Sequence, residues 1–175
     1  MRVIGIGGTS KSGRSYVASL IEAWCKKHDV SCFRISFKKV LAAMIEDTGE
    51  AIPDARIMHE EFLNICLERH HTERSSYNKL CEDEAERYFK EQIMIIDDVS
   101  RIEDIKTLNM CNAMLLFVDS SKRIKTRNKQ DNLANKYIDG LYPQDLFDKV
   151  LDNNGPKTKL KKIMEFATPN LIYGD

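Results

Sequence analysis

Arg2-Val-Ile-Gly-Ile6, then Gly7-Gly-Thr-Ser-Lys-Ser-Gly-Arg-Ser15, is the stretch whose reading decides the fold. A short apolar run of strand length passes into a glycine-rich turn. A helix follows, with Val17, Leu20, Ile21 and Trp24 at i, i+3, i+4 and i+7. From Gly8 to Ser15 the chain meets the phosphate-binding template G-x-x-x-x-G-K-[ST] at every fixed position but the lysine. Glycines let the backbone curl until successive N–H groups converge on one anion, and the helix start adds partial positive charge there. Gly8, Thr9, Ser10, Lys11, Ser12, Gly13, Arg14 and Ser15 are therefore the candidates for holding a nucleoside triphosphate, ATP, with the Ser15 hydroxyl placed for Mg²⁺. Gly5, Gly7 and Gly8 crowd the same turn, which suits close backbone approach. The competing reading is a glycine-rich strand–helix turn with no ligand.

Arg14 stands in the lysine position. A lysine ammonium is a compact charge, whereas a guanidinium is broader and planar. Either Arg14 serves as a bulkier phosphate ligand, with Lys11 at the loop's crown as a second cation, or the site binds nucleotide and transfers phosphate poorly.

Outward from the loop, strand-like and helix-like segments alternate, as in a parallel sheet covered by helices. Ser31 to Ile35 reads as a short strand and Phe37 to Glu46 as a helix. Residues from about 54 to 90 show only helical faces, one marked by Met58, Phe62 and Ile65, another by Tyr77, Leu80, Cys81, Ala85 and Tyr88. Ile93-Met-Ile-Ile96, closed by Asp97-Asp98, has the continuous apolar character of a strand buried on both faces. Ser100 and Glu103 form a capping box for a helix carrying Ile102, Ile105 and Leu108. Ala113 to Val118 is the next buried strand, ending at Asp119, and a basic helix or lid spans roughly Lys122 to Tyr137. Phe147 to Leu151 is a last short strand, followed by the turn Asn153-Asn-Gly-Pro156 and a helix with Leu160, Ile163, Met164 and Ala167 on one face. The expectation is one α/β domain over 1–175: a five-stranded parallel sheet, doubly wound, with helices on both faces. A helical insertion at about 37–90 and a basic lid at about 120–137 complete it.

The bulk composition agrees. The 175 residues are 42% apolar and 31% charged, enough for one core. Lys+Arg and Asp+Glu both count 27, so no net field holds a polyanion nonspecifically. Nucleic acid is left with one foothold, the basic stretch Lys122 to Lys129. Cys25, Cys32, Cys66, Cys81 and Cys111 show no pairing rhythm and read as reduced, mostly buried thiols. No apolar run approaches the ~18 residues of a membrane span, and Met1 leads straight into a strand, so a cytoplasmic setting, bacterial or in a virus-infected cell, is expected.

Asp97 and Asp98 close a strand at the carboxyl edge, where ligands of open α/β sheets bind, and a carboxylate there can hold Mg²⁺ through water. The alternative is plain turn chemistry. Arg101, Arg123 and Arg127 are the cations downstream; Arg123 and Arg127, four apart, share a helix face that is either a closing lid or a solvated surface. Arg56, His59, Arg69, His70, His71 and Arg74 offer an anionic-acceptor pocket, with Arg56 and Arg69 the choices for an acceptor phosphate. The histidines and Cys66 match no zinc spacing.

With these motifs in order, the chain resembles the P-loop nucleoside monophosphate kinases. More narrowly, it resembles the group holding tailed-phage deoxynucleoside monophosphate kinases and animal-type phosphomevalonate kinase. The resemblance is carried by Lys11-Ser-Gly-Arg-Ser15, Ile95-Ile-Asp-Asp-Val-Ser-Arg101, Leu115-Leu-Phe-Val-Asp-Ser-Ser-Lys-Arg123 and Phe147-Asp-Lys-Val-Leu-Asp-Asn-Asn-Gly155. It covers most of the chain, with two departures: Arg14 for the loop lysine, and Ser100 where an arginine usually follows the aspartate, with Arg101 one step later. It implies ATP phosphates on Gly8 to Ser15 and the base beside Arg123 or Arg127 and the turn of Asn153 and Gly155. It also implies that Asp98 is the family's aspartate, near acceptor or metal. The activity implied is transfer of the γ-phosphoryl group from MgATP to a (deoxy)nucleoside monophosphate by a monomer or homodimer. The alternatives are another acceptor (phosphomevalonate or a hydroxymethylated base in DNA), a catalytically weak nucleotide-binding module, or an interaction domain that only keeps the fold.

Overall fold

The glycine-rich stretch lies where a strand gives way to a helix: β1 is Arg2–Gly8 and α1 is Arg14–Lys27. A computed structural model describes residues 2–9, 11–37, 92–124 and 144–174. Its further elements are β2 (Cys32–Ile35), β3 (Ile93–Val99), α2 (Ile102–Met110), β4 (Met114–Asp119), the helical turn α3 (Ser121–Ile124), a 3₁₀ turn (Gln144–Leu146), β5 (Lys149–Asp152) and α4 (Lys157–Tyr173). The expected helix after Phe37, the insertion to residue 90 and the lid beyond 124 lie outside the described residues, as do Ser10, Cys66 and Cys81.

All five strands are parallel, in the order β2-β3-β1-β4-β5. Strand alternation separates two apolar layers. Ile4, Ile6, Ile93, Ile95, Leu116 and Val118 face α1 and α4, which contribute Val17, Ile21, Leu160 and Met164. Val3, Met94, Ile96, Leu115 and Phe117 face Ile105 and Leu108 of α2, together with Phe147. Each such side chain, when fully buried, contributes about 1.5–3 kcal/mol. Gly5 and Gly7 belong to the second layer. A Cβ on Gly5 would lie 2.5 Å from Leu108 Cδ1, and one on Gly7 2.5 Å from Phe147 Cε1. These two glycines therefore admit apolar side chains onto β1.

Two local readings change. The cap of α2 is built one residue later than expected: the Asp104 carboxylate accepts the N–H groups of Ser100 and Arg101, both at 2.8 Å. The last strand starts two residues later than expected, because Phe147 is in the core, edge-on to Phe117 at 5.2 Å. Asp148 there exchanges two bonds with Leu115, 2.9 Å to its carbonyl and 2.7 Å from its N–H. The tail docks on its own domain: α4 runs on through Pro169, Thr168 Oγ1 donates to the Met164 carbonyl at 2.5 Å, and Leu171 and Ile172 are buried. Cys25 is buried, Cys32 and Cys111 are half-buried, and all three are free thiols. No helix among the described residues is long and apolar enough to cross a membrane.

Candidate functional site

The pairing of β1 with β3 slips at the carboxyl edge. Gly5 opposes Ile96 but Gly7 opposes Val99, so Ile6 alone stands against Asp97 and Asp98. This is a β-bulge, which re-aims side chains at a strand end. Asp97 keeps the face of Ile93 and Ile95, toward α1. Val99 returns to the face of Met94 and Ile96, which unbroken alternation would deny it.

The two aspartates thus part. Ser15 Oγ, on the first turn of α1, donates to Asp97 Oδ2 at 2.7 Å. Arg34 Nη2, from β2, donates to the same oxygen. Burial pushes the Asp97 carboxyl up, yet the Arg34 and Ser15 hydrogen bonds outweigh it and hold the group below the usual carboxylate range. Asp98 turns to the end of β2, where Oδ2 accepts from Ser36 Oγ at 2.7 Å and Oδ1 from the Phe37 N–H at 2.9 Å. Of the pair, Asp97 is the one that meets the loop serine.

The loop has the backbone of an anion cradle. Gly8, Lys11 and Gly13 take positive φ of 144°, 62° and 100°. A Cβ on Gly8 would fall 2.7 Å from the Val118 carbonyl oxygen, and one on Gly13 2.5 Å from Asn153 Nδ2. The Ser12 N–H closes a turn on the Thr9 carbonyl at 3.1 Å, and the Gly13 carbonyl starts α1. The first N–H groups of that helix lack intrahelical partners. Thr9 Oγ1, Ser12 Oγ and Ser120 Oγ are buried with no hydrogen-bond partner among the described residues. Two of these orphan hydroxyls, Thr9 and Ser12, belong to the glycine-built loop itself and fit a polyanion's oxygens. Ser15 and Asp97 together form the hydroxyl-and-carboxylate oxygen pair that suits Mg²⁺.

Asn153 clamps the loop from the far side. Its Nδ2 donates to the Ser12 carbonyl at 2.6 Å and its N–H to the Asp119 carbonyl at 2.7 Å. Asn154 bridges Asp119 and Asp152 through Nδ2, at 3.0 and 2.8 Å, and its Oδ1 accepts the Lys122 N–H. The Asn154 N–H is the main reason the Asp152 carboxyl falls to about 2. Gly155 completes this turn, packed against Lys159.

The expected cations are placed unequally. Arg14 Nη1 donates to the Val99 carbonyl at 3.0 Å, which lays the guanidinium along the β1–β3 edge. Lys11 is exposed at the loop's crown. Arg101 gives Nε and Nη2 to the buried Asp104 carboxylate, at 3.0 and 2.7 Å, and so serves the start of α2. Arg123 lies on α3. Arg56, His59, Arg69, His70, His71, Arg74 and Arg127 lie outside the described residues. Arg34 was missed; its one signal is a charge inside the otherwise apolar strand Cys32-Phe-Arg-Ile35.

No family model matches the chain, and no curated protein matches it in sequence. Solved structures do. The Mycobacterium tuberculosis APS kinase in complex with AMPPNP and APS is 14% identical with a TM-score of 0.50, over 94% of this chain and 95% of that one. A gluconokinase from Sinorhizobium meliloti 1021 is 13% identical with a TM-score of 0.49, over 98% and 94%. A shikimate kinase from Aquifex aeolicus is 14% identical with a TM-score of 0.47, over 99% of each chain. With its parallel five-stranded sheet and its loop between β1 and α1, this chain has the P-loop NTPase fold.

Proposed function

We propose that the chain transfers the γ-phosphoryl group of ATP to a small acceptor, a (deoxy)nucleoside monophosphate by its resemblance. The observation that carries the reading is the Ser15–Asp97 hydrogen bond, 2.7 Å, at the mouth of a loop held open by Gly8 and Gly13. The APS kinase of the same fold, solved with AMPPNP and APS, supports a nucleotide in that place.

The chain's part is positioning and charge, as phosphoryl transfer requires. Backbone N–H groups from Thr9 to Ser15 bind the phosphates, with Lys11 as a flanking cation. Ser15 and Asp97 would hold Mg²⁺, which neutralises charge on the transferring group. Arg14 keeps N–H donors beyond the one spent on Val99, since a guanidinium carries five. Asn153 fixes the loop's curvature, and Asn153 and Gly155 line the side assigned to the base. Asp98, anchoring the entry to the insertion through Ser36 and Phe37, sets where that segment leaves the sheet. Arg56 and Arg69 are assigned to the acceptor phosphate, and Arg123 and Arg127 to lid closure. The acceptor oxygen forms a bond to phosphorus as the bond to the β–γ bridging oxygen breaks, and ADP leaves.

One observation favours a second reading, a nucleotide-binding module of weak turnover: the Arg14 guanidinium bonds a backbone carbonyl at the end of β3. ADP formation from MgATP, resolved by chromatography against ribo- and deoxynucleoside monophosphates, phosphomevalonate and hydroxymethylated DNA, decides between them. Turnover with a monophosphate is expected. Binding of ATP without turnover on any acceptor, with transfer appearing in Arg14→Lys, would establish the weak module instead. The setting proposed is cytoplasmic, with no membrane partner and with the basic stretch Lys122 to Lys129 as the one foothold for nucleic acid.

A further inference from the structure

We infer that Arg34 is a tethered counter-cation of the phosphate site, which lets the chain take a nucleoside triphosphate without its divalent metal. The inference rests on the nucleotide reading of that site. Asp97 is a fixed carboxylate, its side chain 10% exposed, hydrogen-bonded to the loop serine. Left alone it repels a triphosphate, and in a little-solvated site the repulsion is poorly screened. A bound divalent ion is one way to offset it.

This chain has a second way built in. In the parallel register Arg34 stands beside Ile95, and Asp97 lies two residues further along β3 on the same face. The Arg34 guanidinium reaches Asp97 Oδ2, the oxygen that Ser15 also uses, and Nη1 lies 3.8 Å from Glu22 Oε2 on α1. Its side chain is 29% exposed, so the pair is partly withdrawn from solvent. With Asp97 neutralised, the loop's N–H groups, Lys11 and Arg14 present net positive charge to the phosphates whether or not metal is present.

Arg34 acts through Asp97 and is a positioning residue. A purely structural ion pair would change stability and weaken every form of the ligand alike; a counter-cation changes the ratio between two forms. The test is ATP binding by calorimetry in excess magnesium and in EDTA, on the full chain, for wild type, Arg34→Gln, Arg34→Lys and the double variant Arg34→Gln/Asp97→Asn. Wild type is expected to bind in both conditions, its Kd values within roughly threefold. Arg34→Gln should widen the ratio roughly tenfold, by weakening the EDTA arm. Arg34→Lys should hold the ratio near wild type. The double variant, which removes both partly buried charges, should close the ratio again and guards against loss of fold in the single variant. Wild type that binds only with magnesium, or an Arg34→Gln ratio equal to wild type, would overturn the inference and leave the nucleotide reading standing. No ATP binding by wild type in either condition would overturn both.

Discussion

Positive φ at Gly8 and Gly13 is where the loop meets the limits of an L side chain. At Gly8 a Cβ would strike the Val118 carbonyl, a backbone atom that cannot swing aside. Gly8→Ala is therefore expected to cost about 1–3 kcal/mol in stability, read by urea unfolding, and to abolish ATP binding. A second residue-scale outcome concerns pH. The Asp97 carboxyl is lowered from 3.8 in the folded chain, so its contribution to stability is complete above that value and is lost as pH falls through the lowered one. Acid-unfolding midpoints for wild type and Asp97→Asn check this: the variant should show a shallower loss of stability below about pH 4. Arg14 and Ser15 were legible as loop residues, because a local template names them. Arg34 was not, since a lone charge in a strand says nothing of the carboxylate two strand positions away on a neighbour.

Elements of the sheet read well for a simple reason. Strands buried on both faces are continuous apolar runs, and Ile93 to Ile96 and Met114 to Val118 have no other use. The bulge at Asp97 and Asp98 did not read, because register between β1 and β3 is a tertiary property set across some ninety residues of chain. The α2 cap slipped by one residue because neighbouring acidic residues fit the same capping pattern, and the observed cap bonds are those of Asp104. The role of Gly7 is likewise an element-scale fact. Gly7→Ala should drive a methyl into the Phe147 ring and cost about 1–3 kcal/mol. A compensating Phe147→Leu in the same background should recover part of that loss, measured as denaturation midpoints. Gly5, with Leu108 over it, belongs to the same packing.

At the scale of the molecule, the final helix closes the structure on its beginning. Arg2 Nη1 donates to the Leu171 carbonyl at 3.2 Å, and Leu171 is fully buried against the α1 layer. Leu171→Ala should cost about 2–5 kcal/mol, and a chain ending before Thr168 should fail to fold, as judged by loss of a cooperative thermal transition. Pro169 hid this in the sequence, since a proline ordinarily marks a helix end, whereas here the helix continues through it. The most direct test of the central claim is the melting temperature of wild type with and without MgATP, beside the same pair for Gly13→Ala. A ligand at a hundred times its Kd adds about 2.7 kcal/mol, which for a chain of this size is a rise of roughly 5–10 °C. The loop reading predicts that rise in wild type and its absence in Gly13→Ala. No rise in wild type, or equal rises in both, would contradict it.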